Sequence, residues 1–149
     1  PVCLAARPRI MRGLGERLSA PLELPLLPAV LVNPGVPLST REVFAKYSLA
    51  PGAAESRDDV PADIDAVIDY LVRQSNDLTQ AAIACVPIIA TVLDALRALP
   101  GVRLARMSGS GPTCFALFGS REAADAAAQR LKAARQDWWI APANFASML

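Results

Sequence analysis

Val102-Arg103-Leu104-Ala105-Arg106-Met107, then Ser108-Gly109-Ser110-Gly111-Pro112, then Thr113-Cys114-Phe115-Ala116-Leu117-Phe118 is the stretch on which the fold turns. Its first part alternates apolar Val102, Leu104 and Met107 loosely with Arg103 and Arg106, as a strand with one solvated face does. Its last part is an apolar run of strand length, and glycine and proline punctuate the middle, so the whole reads as strand, glycine-rich loop, strand. Downstream, Ser120 is placed to cap an alanine-rich helix from about Arg121 to Ala134, and Trp138-Trp139-Ile140-Ala141 returns as a final strand. Alternation on that strand puts one indole inside and the other at the surface.

Upstream, Pro100-Gly101 stops a helical region. Asp77 with Gln80 three residues later marks a helix start with Asp77 as cap, and Leu78, Ala81, Ala82, Cys85, Val86 and Ile89 carry an apolar stripe that Pro87 interrupts, which predicts two successive helices ending near Leu99. Ile64, Val67, Ile68, Leu71 and Val72 recur at the spacing of one helical face. Between Pro51 and Pro61 the residues are small, charged or proline, the composition of an exposed connection. Ser39 and Glu42 form a capping box for a short helix over about Thr40 to Tyr47. Ala29-Val30-Leu31-Val32-Asn33, stopped by Pro34-Gly35, is a buried strand, and the mixed stretch from Arg9 to Leu24 reads as short extended segments. Strand, helices, strand, strand, helix, strand is the order of a ferredoxin-like plait with inserted helices, an α+β fold.

Fifteen Lys+Arg against fourteen Asp+Glu leave a formal charge of +1 with no basic run, which argues against nucleic acid as a partner. The chain of 149 residues contains no histidine and no C-x-x-C pair, so neither an ordinary zinc site nor a histidine base can be assembled from it. Cys3, Cys85 and Cys114 sit among apolar neighbours and read as small core residues of a cytoplasmic protein. Arg97, Arg103 and Arg106 break the most apolar region well short of the roughly 20 residues that span a bilayer, so no membrane partner is expected. The opening Pro1-Val2-Cys3-Leu4 has neither an initiating Met nor a leader, which suggests a cut through a longer protein.

The loop Ser108-Gly109-Ser110-Gly111-Pro112-Thr113 has two readings. Glycines one residue apart serve a tight connection between strands. They also let a ligand approach bare main chain, whose N–H groups can converge on an anion, and the hydroxyls of Ser108, Ser110 and Thr113 add side-chain donors suited to phosphate. Asp58, Asp59, Asp63, Asp65 and Asp69 occupy a polar connection and the solvated side of a helix rather than a metal cluster. Lys46, at a helix end, sits favourably near the negative pole of the dipole.

Met107 to Phe115 resembles the third conserved motif of the GHMP kinases, a family of small-molecule kinases. The likeness extends through Pro1-Val2-Cys3, Gly13-Leu14-Gly15-Glu16, the phrase from Val32 to Phe44, and Ser75-Asn76-Asp77-Leu78. The resemblance implies ATP-dependent phosphorylation, with Mg2+, of a hydroxyl on the methylerythritol part of a cytidine-diphosphate substrate, a step on the non-mevalonate route to isoprenoid precursors. It further implies that residues 25–149 are the C-terminal domain of such a kinase and residues 1–24 the tail end of its N-terminal domain or crossover strands. The partner of this chain would be that N-terminal kinase domain, which in the family carries the main ATP loop and the catalytic aspartate. No catalytic residue and no metal ligand is therefore expected here, and the chain alone is expected to be inactive.

By the same resemblance Ser108, Gly109, Ser110, Gly111 and Thr113 close the active site from the opposite domain and orient phosphates. Phe44 matches the aromatic residue that stacks on cytosine, and Thr40 a residue near the substrate phosphates. Phe44 read by itself is a core residue, because a large apolar side chain on an amphipathic helix usually faces inward. Two alternatives stay open: another acceptor of the family, such as homoserine, mevalonate or a sugar, and a non-catalytic plait that binds a regulatory ligand at the glycine loop.

Overall fold

A computed structural model of the chain describes residues 8–12, 16–48 and 60–145. Pro1-Val2-Cys3, the Gly13–Gly15 phrase and the aspartates Asp58 and Asp59 lie outside the described residues. Two short strands, β1 (Met11–Arg12) and β2 (Arg17–Leu18), pair antiparallel as a small separate sheet, in keeping with the extended segments expected there.

The main body follows in the order β3 (Leu27–Asn33), α1 (Thr40–Lys46), α2 (Ile64–Val72), α3 (Thr79–Cys85), α4 (Ile88–Arg97), β4 (Val102–Met107), β5 (Cys114–Phe118), α5 (Arg121–Ala134) and β6 (Trp139–Phe145). Its four strands form one antiparallel sheet in the spatial order β4-β5-β3-β6. Each split pair of parallel strands, β3 with β4 and β5 with β6, has one strand of the other pair between its members, which is the plait expected from the sequence.

The sheet is covered on both faces. Val30, Val32, Cys114, Ala116, Phe118 and Met107 point to α4 and α5 and form the larger core with Ile89, Val92, Leu93 and Leu96. The alternate residues Leu27, Ala29 and Leu117 point the other way, onto Val67 and Ile68 of α2. Burial on two sides is why β3 reads as a continuous apolar run rather than an alternation. The helical stripe expected on α2 is real at Val67 and Ile68, but Val72, at the helix end, is half exposed. On α5, Ala124, Ala127, Ala128 and Leu131 are buried at i, i+3, i+4 and i+7, and Ser120 caps the helix by accepting from the Ala123 N–H at 3.2 Å.

Several boundaries depart from the sequence reading for identifiable reasons. β3 begins at Leu27, two residues earlier than expected, because pairing with β5 starts only at Ala29 and so Pro28 leaves no ladder bond unmade on that side. β6 continues past Ala141 through Pro142, which an edge strand tolerates. Asp77 does not cap α3: the helix starts at Thr79, and Asn76 Oδ1 accepts the Leu78 N–H at 3.1 Å while Asp77 Oδ1 accepts the Ser75 hydroxyl at 2.6 Å. Asp63 caps α2 through the N–H groups of Asp65 and Ala66. Asp65 and Asp69, one turn apart, are not merely solvated: they face Arg103 of β4 at 2.6 and 3.5 Å, and the bond to Asp65 raises the arginine pKa. Lys46 donates to the Ala84 carbonyl at the end of α3, at 3.0 Å, rather than to its own helix. Trp138 is buried under the Arg135 guanidinium, 4.3 Å from the ring centroid, and Trp139 is exposed, as alternation required.

Candidate active site

Loop 108–113 leaves the sheet between β4 and β5, beside α1 and the turn that leads into α3. It closes on itself through two backbone bonds, Ser108 N–H to the Thr113 carbonyl and Gly111 N–H to the Ser108 carbonyl, both 2.9 Å. Gly109 and Gly111 adopt φ of 54° and 82°, conformations that a side chain resists. Gly111 is also enclosed: a Cβ there would stand 2.8 Å from Met107 Sδ and 3.3 Å from Leu38 Cδ2, whereas a Cβ on Gly109 would meet nothing within 4 Å. Gly111 is thus required for space as well as conformation. Among the described residues no acceptor takes the N–H groups of Gly109, which is exposed, and Ser110, which is partly buried, at the crown of the turn.

Two asparagines hold the loop. Asn76 Nδ2 donates to the carbonyls of Met107 and Gly109 at 2.9 and 2.8 Å, while its Oδ1 takes the Leu78 N–H. Asn33 Nδ2 donates to Thr113 Oγ1 at 2.9 Å, and its Oδ1 takes the Gly35 N–H at 2.8 Å. Thr40, the first residue of α1, meets Ser110 hydroxyl to hydroxyl at 2.8 Å.

A cleft of about 540 Å³ opens against this loop, lined by Phe44, Tyr47, Asn76, Arg106, Ser108 and Gly109 among others. Phe44 is 56% exposed although α1 buries Val43 beside it, so the inward reading of Phe44 from the helix pattern is wrong. Arg106 donates through Nη2 to the carbonyls of Leu71 and Gln74 at the end of α2, and burial lowers its pKa. Asp77 is the one carboxylate among the described lining residues. The arrangement presents an aromatic face at one side, free N–H groups and hydroxyls at another, and a half-buried cation in the wall. Such a cleft can take a ligand with a flat ring and an anionic group.

A family model described as GHMP kinases C terminal matches residues 54–136, more than half of the chain. The chain belongs to the GHMP kinase family. Over 150 residues this GHMP chain is 47% identical to the 4-diphosphocytidyl-2-C-methyl-D-erythritol kinase of Rhodopseudomonas palustris (strain BisB5), covering 94% of this chain and 51% of that protein. It is 46% identical over 151 residues to the protein of the same name from Methylorubrum extorquens (strain PA1), covering 98% and 52%. Among solved structures, that of a 4-(cytidine 5'-diphospho)-2C-methyl-D-erythritol kinase superposes with a TM-score of 0.75 at 31% identity, over 99% of this chain and 53% of the other. Homoserine kinase from Cytophaga hutchinsonii gives a TM-score of 0.59 at 22% identity, over 95% of this chain and 48% of that one, a likeness of fold alone. The chain spans about half the length of the curated relatives it matches.

Of the residues that the sequence put forward, the GHMP fold brings Phe44, Ser108 and Gly109 to the cleft and joins Thr40 to Ser110. Gly111 and Thr113 are not among its lining residues: Gly111 packs against Met107 and Leu38, and Thr113 bonds Asn33. Asn33, Asn76 and Arg106 were not singled out as site residues. Each asparagine has a local signature, a side chain that accepts the N–H two residues on, but what its amide reaches lies 80 residues away for Asn33 and more than 30 for Asn76.

Proposed function

We propose that this chain is the C-terminal half of an ATP-dependent kinase that phosphorylates a hydroxyl of 4-diphosphocytidyl-2-C-methyl-D-erythritol, in the cytoplasm, on a route to isoprenoid precursors. Residues 25–149 form its C-terminal domain, and residues 1–24 are crossover strands or the tail end of an N-terminal domain, which carries the main ATP loop and the catalytic aspartate. The observation that supports this best is the placement of exposed Phe44 and the hydroxyl-lined glycine loop on one cleft. Identity of 45–48% to curated relatives of that activity, over half of their length, points the same way.

In this reading the cytosine stacks on Phe44, and the phosphates lie against the Gly109 and Ser110 N–H groups with Thr40, Ser108 and Ser110 as hydroxyl donors. Gly111 and Thr113 keep the loop in shape. Phosphoryl transfer asks the protein chiefly for positioning and for stabilisation of charge on the phosphoryl oxygens, and the loop supplies both without chemistry of its own. Among the described residues no three His, Cys, Asp or Glu side chains converge as a metal site. In this reading Mg2+ would come bound to the ATP phosphates.

The test is transfer of phosphate from ATP to 4-diphosphocytidyl-2-C-methyl-D-erythritol by the protein that carries this chain, with the isolated chain alongside. Transfer by the former and none by the latter is the expected result. Turnover by the isolated chain would show that the catalytic aspartate is not elsewhere. Turnover only with homoserine, mevalonate or a sugar would change the acceptor, and no ATP consumption with any acceptor would leave a ligand-binding plait.

A further inference from the structure

We infer that Asn76 is a positioning residue for the phosphate-orienting loop, acting through main-chain carbonyls rather than through substrate; this rests on the kinase reading above. Both N–H bonds of one amide are spent on the loop, at 2.9 Å to Met107 and 2.8 Å to Gly109, while the amide oxygen is spent on the Leu78 N–H. The Asn76 carbonyl in turn accepts from the Thr79 hydroxyl at 2.7 Å, which fixes the turn that carries the amide. Met107 is buried in the core and Gly109 is exposed, so Asn76 ties the free crown of the loop to its rigid base. The Gly109 carbonyl belongs to the same peptide unit as the Ser110 N–H. In a trans peptide the two groups point in opposite directions within one plane, so a carbonyl held toward Asn76 aims the N–H away from Asn76, where an anion can take it.

Asn33 holds the other end of the loop in a way that differs chemically. Its amide meets a hydroxyl, Thr113 Oγ1, which can rotate and donate instead. The carbonyls that Asn76 meets can only accept. Replacing either asparagine by aspartate keeps the oxygen that caps its own turn and alters only the contact with the loop: at 33 the contact survives with its direction reversed, and at 76 a carboxylate faces two carbonyl oxygens. A purely local role in starting α3 would make Asn76→Asp harmless, since aspartate serves as well as asparagine in such turns.

The experiment compares Asn76→Asp and Asn33→Asp in the whole protein that carries this chain, by steady-state kinetics with ATP and 4-diphosphocytidyl-2-C-methyl-D-erythritol and by amide hydrogen exchange. Asn76→Asp is expected to lower kcat by about 10- to 100-fold, the scale of a misplacement of about 1 Å, with KM for the cytidine substrate within about threefold because Phe44 is untouched. Its activity relative to the unsubstituted protein should rise as pH falls from 8 to 6, because a protonated carboxyl regains one donor toward the carbonyls. Exchange should quicken at Ser108 and Gly111, the two loop amides that are hydrogen-bonded, and stay unchanged in α3. Asn33→Asp should lose less on each count. Equal losses in the two variants would assign the effect to added charge and overturn the proposal, as would unchanged exchange in the loop. If the unsubstituted protein turned over no substrate, the kinase reading would fail while the exchange comparison still judged the clamp.

Discussion

Replacing Gly111 by alanine should unfold this domain more readily than replacing Gly109, although the two glycines lie in one loop and both have positive φ. At Gly109, φ is 54° and the new methyl would meet nothing, so only the left-handed backbone is penalised, by about 1–2 kcal/mol. At Gly111, φ is 82° and the methyl would stand 2.8 Å from Met107 Sδ and 3.3 Å from Leu38 Cδ2. Met107 is 1% exposed, so its thioether has little room to swing away, and overpacking adds about 1–3 kcal/mol to the backbone penalty. The expected totals are about 2–5 kcal/mol for Gly111→Ala and about 1–2 kcal/mol for Gly109→Ala. Urea unfolding of the protein that carries this chain reads the difference as a lower midpoint at unchanged slope. The double variant Gly111→Ala with Met107→Val, which removes the sulfur, should fall short of additivity by about 0.5–3 kcal/mol. Equal midpoints for the two single variants, or strict additivity in the double, would refute the steric account.

Phe44→Ala should leave stability within about 0.5 kcal/mol, because the ring is exposed, while raising KM for the cytidine substrate about 5- to 150-fold; an unchanged KM would remove the stacking role. Arg106→Met should destabilise by about 1–3 kcal/mol through loss of the donors to the Leu71 and Gln74 carbonyls, and should speed exchange at the end of α2; unaltered exchange over residues 71–74 would show that the arginine does not hold that helix. Burial pushes the Cys114 thiol up to about 12 from 9.0, with the Arg97 charge opposing slightly. The folded state then holds a proton that the unfolded state releases, so this group's contribution is intact below pH 9 and is lost between about pH 9 and 12. Cys114→Ala should flatten the decline of stability over that alkaline range, and an identical pH profile in the variant would count against a protonated buried thiol.

Local patterns carried most of the fold. The strand-loop-strand from Val102 to Phe118, the break at Pro87 and the alanine stripe of α5 are written in consecutive residues, and the structure keeps them within a residue or two. Placement of α2 on the opposite face of the sheet was not readable, because the apolar stripe of a helix says that it packs and not against which layer. The same limit applies to Phe44. Val43, Phe44 and Tyr47 share a helical pattern that fixes one inward face, but the turn before α3 approaches so that Val43 fills the core and Phe44 borders the cleft. Resemblance to the kinases, rather than periodicity, placed Phe44 outward. The loop glycines were legible as glycines, yet their unequal roles depend on Met107 and Leu38 coming together around only one of them. Asn76 was hidden by a nearer explanation, since Asp77 with Gln80 already satisfied the pattern of a helix start.

The hydroxyls of Thr40 and Ser110 lie 2.8 Å apart and share one hydrogen bond, in which either can be the donor. A ligand that recruits both must first part them, so binding there exchanges one partner for another instead of filling a vacancy. A neutral oxygen offers each hydroxyl little that its neighbour does not already give. A phosphate oxygen, charged and able to accept from both at once, offers more, because hydrogen bonds to an ionised acceptor are roughly twice as strong as those between neutral groups. In the kinase reading proposed above, the pair would therefore favour an anion over a neutral sugar hydroxyl.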